Sequence, residues 1–207
     1  MATRGRYAVD GGLQHSGRAI GMKVTVNARQ SLLDHIPPGS VGAEIGVFKG
    51  AFSEKLLKAT KAKKLYLIDP WVSRTEDAYD KAWYGKTNSD QAMMDTICKG
   101  VRRRFAAEIE AGTVEILRME SSKAAAMIPD ESLDFVYIDG DHSYEGVRDD
   151  LANYLPKVRA GGLICGDDYG LGAWWGDGVL KALHEFLPTA PVRIDFLIDA
   201  QFCLRKR

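Results

Sequence analysis

Val41-Gly42-Ala43-Glu44-Ile45-Gly46-Val47-Phe48-Lys49-Gly50 decides the fold. It reads as a short buried strand, Val41 to Ile45, then a tight glycine turn through Gly46, Val47 and Gly50, then a helix from about Phe52 to Ala59. A strand that feeds a helix through glycines is how an open α/β sheet forms a nucleotide-sized crevice at its carboxyl edge. Gly46 and Gly50 let the backbone pass close to a ligand where a Cβ would collide. A dinucleotide fingerprint would read G-x-G-x-x-G, and a P-loop G-x-x-x-x-G-K-[ST]. Neither is present. Instead Glu44 puts a carboxylate at the mouth of the crevice, where it repels a pyrophosphate and accepts a cationic, phosphate-free ligand.

Three further strand ends supply acids. Lys64 to Asp69 reads as a second strand, and Asp69 lies about 20 residues after the glycine turn, where an acidic residue grips ribose hydroxyls. The other reading of Asp69 is a cap before Pro70. Trp71 either walls the ligand or sits in the core. The apolar run Leu133 to Ile138 reads as a central parallel strand ending in Asp139-Gly140-Asp141-His142. After a helix from about Tyr144 to Leu155 and a turn at Arg159 to Gly162, a fifth strand, Leu163 to Gly166, ends in Asp167-Asp168. Parallel strands separated by one helix are neighbours, so Asp139, Asp141, Asp167 and Asp168 are expected in one small volume. Carboxylates that close repel one another unless a cation sits among them. A hard divalent cation (Mg²⁺, Mn²⁺ or Ca²⁺) would resolve the repulsion. Solvated or helix-capping acids are the alternative.

The Glu44-x-Gly46 motif resembles the first motif of the class I S-adenosylmethionine-dependent methyltransferases. S-adenosylmethionine, which carries a sulfonium and an ammonium group, suits the Glu44 crevice. The resemblance runs from about Ser40 to Arg207. It implies a Rossmann-like α/β fold with a seven-stranded, mostly parallel sheet, an antiparallel last strand and helices on both faces. It assigns Glu44, Gly46, Val47, Gly50, Asp69, Trp71 and Asp139 to the cofactor, and the loop holding Ser121 and Ser122 to the adenine edge. Tyr137-Ile138-Asp139-Gly140-Asp141-His142-Ser143-Tyr144-Glu145 is similar to the metal-dependent small-molecule O-methyltransferases that act on catechols and on antibiotic sugars. That subgroup implies Asp139, Asp167 and Asp168 as metal ligands and Asp141 or His142 as general base. One departure stands out: many relatives read Gly-His-Asp-Tyr where this chain has Gly166-Asp167-Asp168-Tyr169. The function expected is O-methylation of a small-molecule hydroxyl with Mg²⁺ or another hard divalent cation. A metal-independent N- or O-methyltransferase and a non-catalytic cofactor-binding domain are the other readings.

The whole chain sets outer limits. Its 207 residues suit one α/β domain, with an N-terminal arm and helix over 1–39, the main domain over 40–207 and an insertion at about 72–112. Within the insertion, Tyr79, Trp83 and Tyr84 sit in a polar-aromatic stretch, and a helix is expected from about Ser89 to Ala111. Lys and Arg number 28 and so do Asp and Glu, so no polyanion partner is expected. Cys98, Cys165 and Cys203 are scattered and odd in number, as in a reduced cytoplasmic protein. No apolar run reaches the length of a membrane span. Trp174 and Trp175 lie in a Gly-rich loop that either closes over substrate or packs on a second subunit of a homo-oligomer.

Overall fold

The computed structural model describes residues 27–172 and 174–207. The expected N-terminal arm lies outside the described residues. The first half runs α1 (Ala28–His35), β1 (Val41–Ile45), α2 (Ala51–Thr60), β2 (Lys64–Ile68), a 3₁₀ turn (Asp77–Tyr79), α3 (Gln91–Arg104) and α4 (Ala106–Glu110). The second half runs β3 (Val114–Leu117), α5 (Ser121–Met127), β4 (Leu133–Ile138), α6 (Tyr144–Tyr154), β5 (Val158–Gly166), α7 (Gly178–Phe186), β6 (Val192–Ile198) and β7 (Gln201–Lys206). The strands form one sheet in the order β3-β2-β1-β4-β5-β7-β6. β1 to β5 are parallel, and β7 is antiparallel to both β5 and β6. This is the Rossmann-like methyltransferase sheet expected from the sequence. Strand order reverses between β1 and β4, which is where open α/β sheets bind ligands.

The two-residue period of the strands sorts the core into two layers. Ile45, Ile68, Val136 and Ile138 face α5, α6 and α7 through Ala124, Leu151 and Leu183. Leu67, Tyr137 and Cys165 face α1, α2 and α3 through Leu32, Leu56 and Val101. Buried on both faces, β4 is apolar at nearly every position, as central parallel strands are.

Register then places the acids. Ile68, Ile45, Ile138 and Gly166 pair in one row across the sheet. The next residue of each strand is Asp69, Gly46, Asp139 and Asp167. By parity, these four share a face with Glu44, the face on which α1 packs.

Two boundaries differ from expectation. The long helix of the insertion breaks at Phe105 (φ −104°, ψ 22°), whose buried ring packs where a Cβ on Gly50 would meet it at 3.0 Å. The turn expected at Arg159–Gly162 is instead the start of β5, which bulges against β4 between Leu133 and Phe135, with Gly161 at φ 77°. No helix among the described residues is long and apolar enough to cross a membrane.

Candidate active site

The loop after β1 is braced from β2. Asp69 Oδ2 accepts hydrogen bonds from the Val47 and Phe48 amides at 3.1 and 2.9 Å, and Oδ1 accepts from the Trp71 amide at 2.7 Å. Burial pushes the Asp69 carboxyl up while these three N–H donors pull it down. The carboxylate therefore fixes the glycine loop, a role the sequence did not suggest. Gly46 (φ 86°) passes close to the neighbouring strand end, since a Cβ there would lie 2.0 Å from the Asp139 carbonyl oxygen. Gly50 (φ 72°) is the left-handed cap of α2. Trp71 is 1% exposed, in the core, and donates from Nε1 to the Phe48 carbonyl at 2.9 Å. Phe48, Trp71 and Asp168 hold left-handed φ of 48°, 45° and 58°, each two or three residues past a strand end. Such non-glycine conformations cost about 1–3 kcal/mol each and cluster at functional sites.

Glu44 is 1% exposed, and its Oε2 has no hydrogen-bond partner. The Ser53 hydroxyl beside it falls outside hydrogen-bond geometry and is likewise unpartnered. Burial drives the Glu44 carboxyl well above its usual range, with repulsion from Asp139 and Asp69 adding to the rise. A buried, orphaned carboxyl at the β1/β4 switch point fits the cationic methionine end of S-adenosylmethionine.

At the β4 and β5 ends the acids divide. His142 Nε2 lies 3.3 Å from Asp139 Oδ1 and 3.1 Å from Asp168 Oδ2. One ligand atom from each of Asp139, His142 and Asp168 falls within 4.8 Å of the others, a donor set that fits a divalent cation. Burial raises the Asp139 carboxyl; His142 opposes this and Asp167 adds to it. Burial would lower His142, but its Asp139 and Asp168 partners outweigh that and raise it. Asp167 does not join the group. Its Oδ2 takes a salt bridge from Arg29 of α1, and its Oδ1 accepts from the Gln201 side chain, which in turn accepts from the Tyr137 hydroxyl at 3.0 Å. Arg29 also stands 3.5 Å from Asp139 Oδ2. Of the ligand triplet expected from the sequence, Asp139 and Asp168 group with His142, while Asp167 pairs with Arg29.

Asp141 points elsewhere. Its Oδ2 accepts from the Tyr79 hydroxyl at 2.8 Å and its Oδ1 from the Ser143 amide at 2.9 Å. It lines a cavity of about 650 Å³ together with Tyr79, Tyr144, Trp174, Trp175 and Lys181. Of the four acids expected in one small volume, Asp139, Asp167 and Asp168 come together, and Asp141 departs from them. Trp174 packs edge-on against Tyr79 at 5.3 Å, and His142 lies 5.0 Å from the Trp175 ring. The insertion and the Trp loop thus meet over Asp141 and His142. Ser121 opens α5 and donates to the buried Asp150 at 2.5 Å, while Ser122 is exposed.

Arg29, Gln201, Ser53 and Asp150 escaped the sequence reading. Arg29 did leave a signal. It stands three, four and seven positions before Leu32, Leu33 and Ile36, so a cation sits on the apolar face of an amphipathic helix.

A Rossmann-like sheet with this strand order and an acid-lined switch point is the arrangement the resemblance to S-adenosylmethionine-dependent methyltransferases implies, and the family match below assigns the class. Residues 43–169 match a family model described as "Methyltransferase domain", and the chain belongs to that family. No curated protein sequence matches it. Among solved structures, a candidate rRNA-methylase from Clostridium thermocellum is similar at TM-score 0.59 and 13% identity, over 86% of this chain and 95% of that one. A candidate methyltransferase from Streptococcus mutans, in complex with SAH, gives 0.58 and 11%, over 87% and 96%. N-methyltransferase NodS from Bradyrhizobium japonicum, with S-adenosyl-L-homocysteine, gives 0.56 and 15%, over 86% and 85%. At these identities the likeness is one of fold.

Proposed function

We propose that the protein transfers a methyl group from S-adenosylmethionine to a hydroxyl of a small molecule, with a divalent cation held by Asp139, His142 and Asp168. The observation that carries this reading is the grouping of those three side chains within 4.8 Å at the crevice edge. S-adenosylmethionine supplies an electrophilic methyl carbon. The cation, when bound, supplies a Lewis acid that lowers the pKa of an acceptor hydroxyl. Glu44 receives the positive end of the cofactor, and Asp69 holds the Val47–Phe48 loop in place against it. Asp141 faces the cavity and takes the acceptor proton, a contribution of about 10²–10⁴-fold for a positioned base. Tyr79 orients Asp141. The rings of Trp174 and Trp175 exclude water from the acceptor.

A second reading has its own support. His142 hydrogen-bonded to Asp139 is a base–orienter pair, and Arg29 already brings a positive charge to the acids. A metal-free transfer would use that pair directly. Labelled S-adenosylmethionine with a panel of hydroxyl-bearing acceptors, with and without EDTA, separates the two. Transfer abolished by chelator and restored by a divalent cation supports the first reading. Transfer indifferent to chelator overturns it in favour of the second.

A further inference from the structure

Charge balances over the whole chain but not over its surface. Residues 49–64 hold six lysines and one acid, Glu54, and residues 96–104 hold four cations and no acid. The first segment covers the turn after β1, α2 and the start of β2; the second is the last part of α3. Both helices pack on the same core layer, through Leu56 and Val101, so their charged sides share one outer face. Lys55, Lys58, Lys99, Arg102, Arg103 and Arg104 are all exposed there. The two helices are joined across the single acid: Glu54 Oε1 takes Lys58 at 2.6 Å and Oε2 lies 3.9 Å from Arg104. Lys99, Arg102 and Arg103 line one surface groove with Thr96, and none of the three makes an ion pair among the described residues. Solvated helix faces usually alternate the two signs. A face of one sign repels itself and draws a polyanion, which relieves the repulsion.

A second observation says what kind of polyanion. Trp83 of the insertion is 71% exposed, and its ring packs 5.3 Å from Phe48. Lys49 Nζ lies over the same Phe48 ring at 5.0 Å. Gly50 ties this corner to the basic face, since a Cβ there would meet Phe105 and Val101 at 3.0 and 3.6 Å. A row of cations that ends at a large aromatic left in water suits a nucleic-acid strand, whose phosphates follow the charges while a base stacks on the ring. An acidic peptide would use the charges and has no base for Trp83. An anionic membrane would need a belt of apolar side chains where the lysines stand. We infer that the α2–α3 face binds the backbone of a single-stranded nucleic acid, with Trp83 as the stacking platform at the crevice mouth. The whole-chain balance that argued against a polyanion averages this face against the acid-rich remainder. The surface uses none of the groups assigned to the cation or to proton transfer, so the inference does not depend on the identity of the acceptor.

Fluorescence anisotropy of the full chain with a labelled oligouridylate of about 12 nucleotides tests it. Binding is expected at about 50 mM salt and weakens as salt rises, with a log–log slope of about 0.7 for each phosphate neutralised. Arg102→Gln/Arg103→Gln lowers affinity about ten-fold and flattens the slope by about 1.4. Trp83→Ala lowers affinity about ten-fold and leaves the slope unchanged. A duplex, whose bases are already stacked, is insensitive to Trp83→Ala. Thermal melting and S-adenosylhomocysteine affinity stay at wild-type values; Lys99→Gln, on the same groove, repeats the test should the arginine pair melt lower. No binding of the oligonucleotide at that salt, or binding unmoved by the groove variants, overturns the inference. Binding unmoved by Trp83→Ala and matched by heparin overturns the nucleic acid as occupant, and so does a preference for phosphatidylserine vesicles over the oligonucleotide.

Discussion

The Tyr79 hydroxyl donates to Asp141 Oδ2 at 2.8 Å, joining the insertion after β2 to the loop after β4. More than 60 positions separate the two residues in the chain, so the bond is made only when the insertion lies down over the crevice. Tyr79 is then a positioning residue for Asp141. Tyr79→Phe keeps the ring against Trp174 and removes the donor. It is expected to lower kcat about 10-fold while the dissociation constant for S-adenosylhomocysteine stays unchanged. A parallel loss of cofactor affinity would show that Tyr79 shapes the cofactor side instead.

Glu44 links cofactor affinity to pH. Its carboxyl is raised well above the usual range by burial, so the free protein holds it protonated well beyond the normal carboxylate range. A cationic ligand favours the ionised form, so binding releases a proton. Affinity for S-adenosylmethionine therefore rises with pH below the raised pKa, by up to about ten-fold per pH unit. Calorimetry at several pH values checks this. Glu44→Gln should bind more weakly and with a flatter pH profile, and an unchanged profile would remove Glu44 from the cofactor.

Asp150 makes stability fall toward alkaline pH. It is buried on α6, accepts from Ser121 Oγ at 2.5 Å, and is pushed up to about 7 by burial, with Asp141, Asp149 and Glu120 adding to the rise. Its folded pKa stands above the unfolded value of 3.8. Between those two values the native state binds more protons than the unfolded one, so stability declines as pH rises through the window and the loss is complete above about 7. Asp150→Asn should melt higher than wild type at pH 8, with the gap closing at pH 5. A gap independent of pH would mean the effect is not titration.

Asp69 holds three backbone N–H groups, from Val47, Phe48 and Trp71. In Asp69→Asn one acceptor oxygen becomes an NH₂ that confronts a backbone donor. A buried donor left unmatched costs about 1–3 kcal/mol, or roughly 2–12 °C of Tm at 2–4 °C per kcal/mol. Affinity for S-adenosylhomocysteine should fall together with Tm. An unchanged Tm would mean that the loop holds its shape without this brace.

Much of the sheet was legible because strands buried on both faces leave apolar runs that stop at acids: Ile68 before Asp69, Ile138 before Asp139, Gly166 before Asp167. What the runs could not carry was side-chain partnership across the sheet. The Arg29 and Gln201 partners of Asp167 could not be read, because they are 138 and 34 positions away and belong to elements whose own patterns only said helix and strand. The same gap hid the Asp69 brace, since the Val47 and Phe48 amides carry no sequence signature. Phe105 ended a helix that its periodicity would have continued, because the ring is needed against Gly50. His142 was noticed as a base by resemblance, but its place between Asp139 and Asp168 depends on the turn at Gly140–Asp141, which periodicity does not describe.

A crystal grown with S-adenosylhomocysteine and soaked in Mn²⁺, measured for the anomalous signal of manganese, puts both halves of the site to the test at once. The expected map has one peak enclosed by Asp139, His142 and Asp168, with the bound nucleoside lying between the Glu44 and Asp69 loops. A map with no peak there, or with the ligand seated away from Glu44 and Asp69, would contradict it.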